Sequence, residues 1–156
     1  MIDTTDKTEE EPSGKVFISD SQIVWEHKGK TISTIPIDKI KLIGEYTTSE
    51  GPVNDDWFIV FITARDNWHQ ISEYAKGMND VLKQLSEIYN SQINGTLFAS
   101  TIWKTNIIWP DHIKGKEMWT IEILPAQTVG QKIKKFIGLG SLVKLHLTLD
   151  AEKAFH

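Results

Sequence analysis

The run Trp57-Phe-Ile-Val-Phe-Ile-Thr63 limits what this chain can become more than any other stretch. It is strand-sized, too short for a typical helix and far too short to cross a membrane. A strand turns successive side chains to opposite faces, and here both faces are apolar. Such a strand belongs inside a sheet that is covered on each side.

The flanking sequence reads as β structure from Lys15 to Tyr74. Strand patterns occur over Lys15–Ser19, Gln22–His27, Thr31–Ile37 and Glu45–Thr48, then in the apolar run itself and in Trp68–Ser72. Polar or glycine-bearing breaks separate them at Asp20-Ser21, Lys28-Gly-Lys30, Ser49–Asp55 and Asp66-Asn67. The period then changes. Met78, Val81, Leu82, Leu85, Ile88 and Tyr89 recur at helical spacing, with Asn79, Asp80, Lys83, Gln84 and Glu87 left to face water. Gly77-Met-Asn-Asp80 places polar and acidic groups at the start of that helix, where they suit its dipole.

The last third predicts a strand over Leu97–Trp109, broken near Lys104, with Asn94-Gly95 before it as a turn. A turn follows over Asp111–Lys116, then a strand over Met118–Leu124. Pro125–Thr128 is read as opening a helix on which Val129, Ile133, Phe136 and Ile137 share a face, ended by Gly138-Leu-Gly140. Leu142–Leu149 is a strand with Val143, Leu145, Leu147 and Leu149 in one row and His146 on the other side. The fold class expected is α+β: a curved antiparallel sheet or partly open barrel capped by an amphipathic helix, with further C-terminal strands and a short helix.

The chain has 156 residues and no cysteine, so one domain is expected, with no disulfide, thiol nucleophile or cysteine-zinc site. Residues 1–14 carry five acidic groups against one lysine and end in Pro-Ser-Gly, which predicts a disordered tail ahead of one domain over 15–156. They show neither the basic start nor the apolar centre of an export signal, so a soluble cytoplasmic protein is expected. The formal charge of −4 hides a polarity. Residues 15–100 have eight basic against eleven acidic groups, whereas 101–156 have eight against five.

Two local features narrow the fold. Ile35-Pro-Ile-Asp-Lys-Ile40 follows a three-strand meander, and the helix carrying Leu82 and Leu85 directly follows Trp68-His-Gln-Ile-Ser72. Over residues 15–90 this order resembles the pleckstrin-homology-like superfold of bacterial and GRAM type, although six strands precede the helix where the family pattern has seven. The resemblance implies a partly open barrel with a helical cap, leaving 92–156 as an extension. Its members bind lipids or peptides or act as scaffolds, so it does not fix a function.

Catalytic signatures are missing: no nucleophile elbow, phosphate loop, zinc-protease helix or dinucleotide fingerprint occurs. No cofactor and no metal are expected. His27, His69, His112, His146 and His156 do not pair at ligand spacing, and His69 three residues after Asp66 is the nearest approach to an acid–base pair. Six tryptophans is a high count; Trp25, Trp57 and Trp68 are assigned to the core or its rim. Trp103 and Trp109, an even number apart, would share a face of an unbroken strand and are the candidates for a surface.

Lys132, Lys134 and Lys135 flank the Ile133/Phe136/Ile137 stripe, the pattern of a basic amphipathic helix that meets an acidic partner or anionic lipid. Arg65 is the sole arginine, which argues against nucleic acid. The leading expectation is a non-enzymatic interaction module whose partner is a protein, a second copy of itself or, peripherally, anionic lipid. Its contact residues would be Lys132, Lys134, Lys135, Phe136, Trp103 and Trp109. The alternative is a small enzyme or ligand-binding protein with a pocket between the barrel and the C-terminal part, using His69 and Asp66. An immunity-type or scaffold protein, needing only a complementary surface, gives the same sequence signals as the first. Changing Lys132, Lys134 and Lys135 to Glu is expected to abolish retention on anionic liposomes or on a protein partner in co-sedimentation and pull-down. Unaltered retention would remove that segment from the interface.

Overall fold

The computed structural model describes residues 12–49, 55–98, 100–123, 134–135 and 142–156. Ten strands and two helices follow in the order β1 (Lys15–Ser19), β2 (Gln22–His27), β3 (Lys30–Pro36), β4 (Leu42–Thr47), β5 (Trp57–Ala64), β6 (Asn67–Ser72), α1 (Met78–Tyr89), β7 (Lys104–Trp109), β8 (Trp119–Ile123), β9 (Lys134–Lys135), β10 (Leu142–Leu147) and α2 (Leu149–Glu152). They form three open antiparallel sheets, ordered β1-β2-β3, β6-β5-β4-β7 and β8-β10-β9. The α+β class therefore holds. Among the described residues no helix is long and apolar enough to cross a membrane.

The middle sheet is the one that the apolar run demands. On β5, Ile59 and Phe61 face one core while Val60 and Ile62 face another, and all four are fully buried. The first core is closed by Val16, Ile23 and Ile35 of the β1-β2-β3 sheet and by Met78, Val81, Leu82 and Leu85 of α1. The second is closed by Met118 and Trp119, with Ile121, Leu145 and Leu147 of the third sheet and Phe155 after α2. Thr148 caps α2 by accepting the Ala151 N–H at 3.1 Å, and Arg65 Nε donates to Glu152 at 2.6 Å, tying the β5–β6 turn to this end.

Local chemistry sets the connections. Asp20-Ser21 and Lys28-Gly29 each take positive φ at both turn positions, the geometry that matches the twist of two-residue hairpins. Helix α1 begins at Gly77, whose carbonyl accepts from Val81, and ends at left-handed Asn90. Its apolar stripe is as read, except that Ile88 lies at the margin and is exposed. Tyr89 stacks on Trp109 at 4.3 Å and donates its hydroxyl to the Ile37 carbonyl.

Four expectations are corrected. Strand β7 starts only at Lys104, because its partner β4 ends opposite it at Thr47 and no ladder exists further back. Asn94-Gly95 lies in an extended loop and not in a hairpin turn. Lys134 and Lys135 are strand, where a helix was expected, because the edge of β10 supplies their backbone partners. Lys132, Phe136, the rest of that stripe and Gly138-Leu-Gly140 lie outside the described residues. So do residues 1–11 of the acidic tail, but 12–14 are built in: Ser13 Oγ donates to Asp55 at 2.8 Å and the Ser13 carbonyl accepts from Trp25 Nε1 at 3.1 Å.

Double burial of β5 has a direct consequence for mutants. Phe61→Ala and Ile62→Ala, adjacent but facing different cores, are each expected to cost about 3 kcal/mol in urea denaturation, as large core truncations do. A small loss at either position would mean that its face is not packed.

Candidate functional site

Among the described residues, one end of the middle sheet is left open by the layers around it. There β4 ends at Thr47, β5 begins at Trp57 and β6 gives way to Glu73 and Tyr74. The exposed side of α1 and the loop over residues 90–98 rise beside them, leaving a cleft of about 650 Å³. Trp57, Glu73, Tyr74, Asn79, Leu82, Lys83, Ser86, Asn94, Gly95 and Phe98 line it.

The loop wall is held by a buried carboxylate. Glu45 on β4 is fully buried, and it accepts the Thr96 N–H on both oxygens, at 2.9 and 3.0 Å, and the Thr96 hydroxyl at 2.9 Å. Burial raises the Glu45 pKa, and the donors from Thr96 pull it back. Thr47 adds a second pin by donating to the Ile102 carbonyl at 2.7 Å. Glycine at 95 lets the loop lie flat on the sheet end: a Cβ there would stand 2.5 Å from Trp57 Cζ2 and 3.3 Å from Glu45 Oε2.

Glu73 has no such support. Its N–H donates to the Trp57 carbonyl at 3.0 Å, but its Oε2 is buried and meets no hydrogen-bond donor among the described residues. Burial first, and the nearby charge of Glu45 second, push its carboxyl up to about 7. Trp57 Nε1 is likewise buried without an acceptor. Buried polar groups almost always find partners, so two orphans in one cleft mark it out from the rest of the surface. Tyr74 sets its ring at 81° to Trp57, with centroids 6.5 Å apart, and donates its hydroxyl to Asp56 at 2.7 Å. That hydrogen bond, with burial and the neighbouring acids, pushes the phenol up to about 12. Tyr74 is 53% exposed and Phe98 79% exposed, so the rim of the cleft is apolar and uncovered.

A smaller cleft of about 230 Å³ is lined by Trp25, His27, Asp55, Phe58 and Gln70 among others, and three of these are hydrogen-bonded within the protein. Asp55 accepts from Ser13, Trp25 donates to the Ser13 carbonyl, and Gln70 accepts from the Tyr46 hydroxyl at 2.8 Å.

The residues singled out in the sequence lie elsewhere. Trp103 packs in the second core beside Tyr46 and Trp119, whereas Trp109 packs in the first against Tyr89. They sit on opposite faces because β7 carries a bulge: Ile107 pairs with Gly44 but Trp109 with Ile43, so Ile108 is an extra residue that reverses the alternation. Lys134 and Lys135 lie on β9, at the edge of the third sheet, and Lys132 and Phe136 are outside the described residues. His69 Nδ1 shares a hydrogen bond with Ser33 Oγ at 3.2 Å, and Asp66 is exposed in the β5–β6 turn; neither lines the larger cleft. His146 is on the outer side of its strand as expected, 2.7 Å from Glu122. Glu45, Glu73, Tyr74 and Phe98 were missed, since single acidic and aromatic residues far apart in sequence carry no spacing signal. A glutamate inside a strand at 45 and a glycine at 95 were the available hints.

Comparison with protein-family models, with curated proteins and with solved structures finds no match to this chain.

Glu73 makes stability depend on pH. Its carboxyl is protonated in both states at low pH; between 4.5 and about 7 the unfolded chain ionises first, so stability falls across that window. Glu73→Gln is expected to match the wild type near pH 4 and to be the more stable protein at pH 8 by chemical denaturation. A difference that does not change with pH would count against this origin.

Proposed function

We propose that the protein is a non-enzymatic binding module that takes a segment of a partner polypeptide in the cleft between α1, the β5/β6 end and the 90–98 loop. The observation carrying this reading is the pairing of an exposed apolar rim, Tyr74 and Phe98, with a wall that holds two buried polar groups without partners among the described residues, Glu73 Oε2 and Trp57 Nε1. An apolar rim contributes binding energy when a partner covers it, and unpartnered donors and acceptors give orientation. The wall is preorganised by the Glu45–Thr96 and Thr47–Ile102 hydrogen bonds, which lowers the ordering cost of binding.

A pleckstrin-homology-like core over residues 15–90 is part of the same proposal. In support, the three-stranded β1-β2-β3 sheet is followed by the successively paired strands β4, β5 and β6 and then directly by α1. In this reading β7 adds to the free edge of β4, and residues 92–98 convert one open corner of that core into a cleft.

Selection of a random dodecapeptide library on the full chain tests the docking role. Enriched peptides are expected to share a consensus and to lose at least tenfold in affinity on Phe98→Asp, as truncation of a central aromatic contact does. Binding that is indifferent to Phe98→Asp and Tyr74→Ala would overturn the assignment.

A further inference from the structure

We infer that the anchor of the docked segment is a basic side chain, a lysine or an arginine, seated against the Trp57 and Tyr74 rings with its charge on the Glu73 carboxyl. This rests on the cleft being the docking site and specifies the chemistry it selects.

The charge around the cleft favours a cation. Glu73 stands in the wall, Glu45 lies directly behind Gly95, and Asp56 holds the Tyr74 hydroxyl with Asp55 next to it. Against these four acids the lining contributes Lys83 on α1, while the loop brings uncharged Asn94, Gly95 and Phe98. An acidic side chain would be repelled. An aliphatic one would leave Glu73 Oε2 as buried and unpartnered as before, at the full desolvation cost.

An ammonium or guanidinium supplies the missing donor, and its desolvated charge gains from the π faces of two rings set nearly at right angles. The remaining orphan, the Trp57 Nε1–H, is a donor, and a peptide carbonyl beside the basic residue is the acceptor it lacks.

Because the Glu73 carboxyl sits near 7 in the free protein, a cation must first find it ionised. Affinity should therefore rise about tenfold between pH 6 and pH 8. The other ionisable groups around it, Glu45, Asp55, Asp56, Tyr74 and Lys83, come from β4, the segments flanking β5 and β6, and α1.

The test uses the full chain labelled with nitrogen-15 and reads the Trp57 indole N–H, assigned by its loss in Trp57→Phe. N-acetyl-lysine methylamide and N-acetyl-arginine methylamide are titrated in parallel with the norleucine and glutamate analogues. The basic compounds are expected to give a saturable shift, with norleucine at least tenfold weaker and glutamate weaker still. Glu73→Gln should weaken the basic compounds at least tenfold and flatten the pH dependence while the other indole signals stay in place. Lys83→Glu should tighten them. Norleucine binding as well as lysine, glutamate binding better, or no shift with any of the four compounds would overturn the inference. Library peptides that depend on Phe98 but contain no basic residue would overturn it while leaving the docking reading intact. Basic compounds that bind at Trp57 beside peptides indifferent to Phe98→Asp would instead remove the docking reading and leave the anchor.

Discussion

Every layer of this fold answers to the burial of both faces of β5. Ile59 and Phe61 need one cover, Val60 and Ile62 another, and neither face can be left to water without losing several kcal/mol per large side chain. The β1-β2-β3 sheet and α1 supply the first cover, and the β8-β10-β9 sheet supplies the second. This also explains why the chain needs residues beyond 90. A six-stranded arrangement with one helix buries a single face of the middle sheet, so the segment after α1 must return, pair with β4 through β7 and continue into a third sheet.

The return path creates the site. Between the end of α1 and the start of β7 the chain has to run past the end of the sheet, where no ladder is available. Its backbone donors must still be met: Ser86 accepts the Ile93 N–H, and Glu45, buried at a desolvation cost, accepts three hydrogen bonds from Thr96. Glu73 is the same chemical group in the same region without those donors. One carboxylate is consumed by structure, and the other has an oxygen without a donor among the described residues. The contrast is one of environment, since neither residue is distinguished by type.

How far the sequence disclosed this depends on the range of the signal. The apolar run at 57–63, the stripe on α1, the hairpin turns and the outer position of His146 were legible because each is a local pattern with a fixed period. Trp103 and Trp109 fall on different faces because one inserted residue at Ile108 reverses the alternation after it, and nothing in the local composition announces a bulge. The Lys134-Lys135 strand was read as helix because a helical stripe and a short edge strand look alike when the partner strand, β10, comes later in the chain. The cleft itself was illegible for a stronger reason. Its members come from β4, β5, the end of β6, α1 and a loop, so only the topology brings Glu45, Trp57, Glu73 and Phe98 together.

That dispersal has an energetic meaning. A cleft assembled from the end of a doubly buried sheet inherits the rigidity of two cores, so Trp57 and Glu73 are held by the same packing that fixes β5 and β6. The loop is held by buried Ile93 and by side-chain hydrogen bonds from Ser86, Lys114, Glu45 and Thr47, so its 94–98 part depends most on the Glu45–Thr96 contact. Protonation of Glu45, whose pKa burial already raises, would weaken the grip on Thr96 while easing the repulsion at Glu73. The two glutamates are coupled through their charge, so a cation that ionises Glu73 also offsets the field that Glu45 imposes. Occupation of the cleft should then tighten the loop on Glu45, linking the affinity of the site to the order of its own wall.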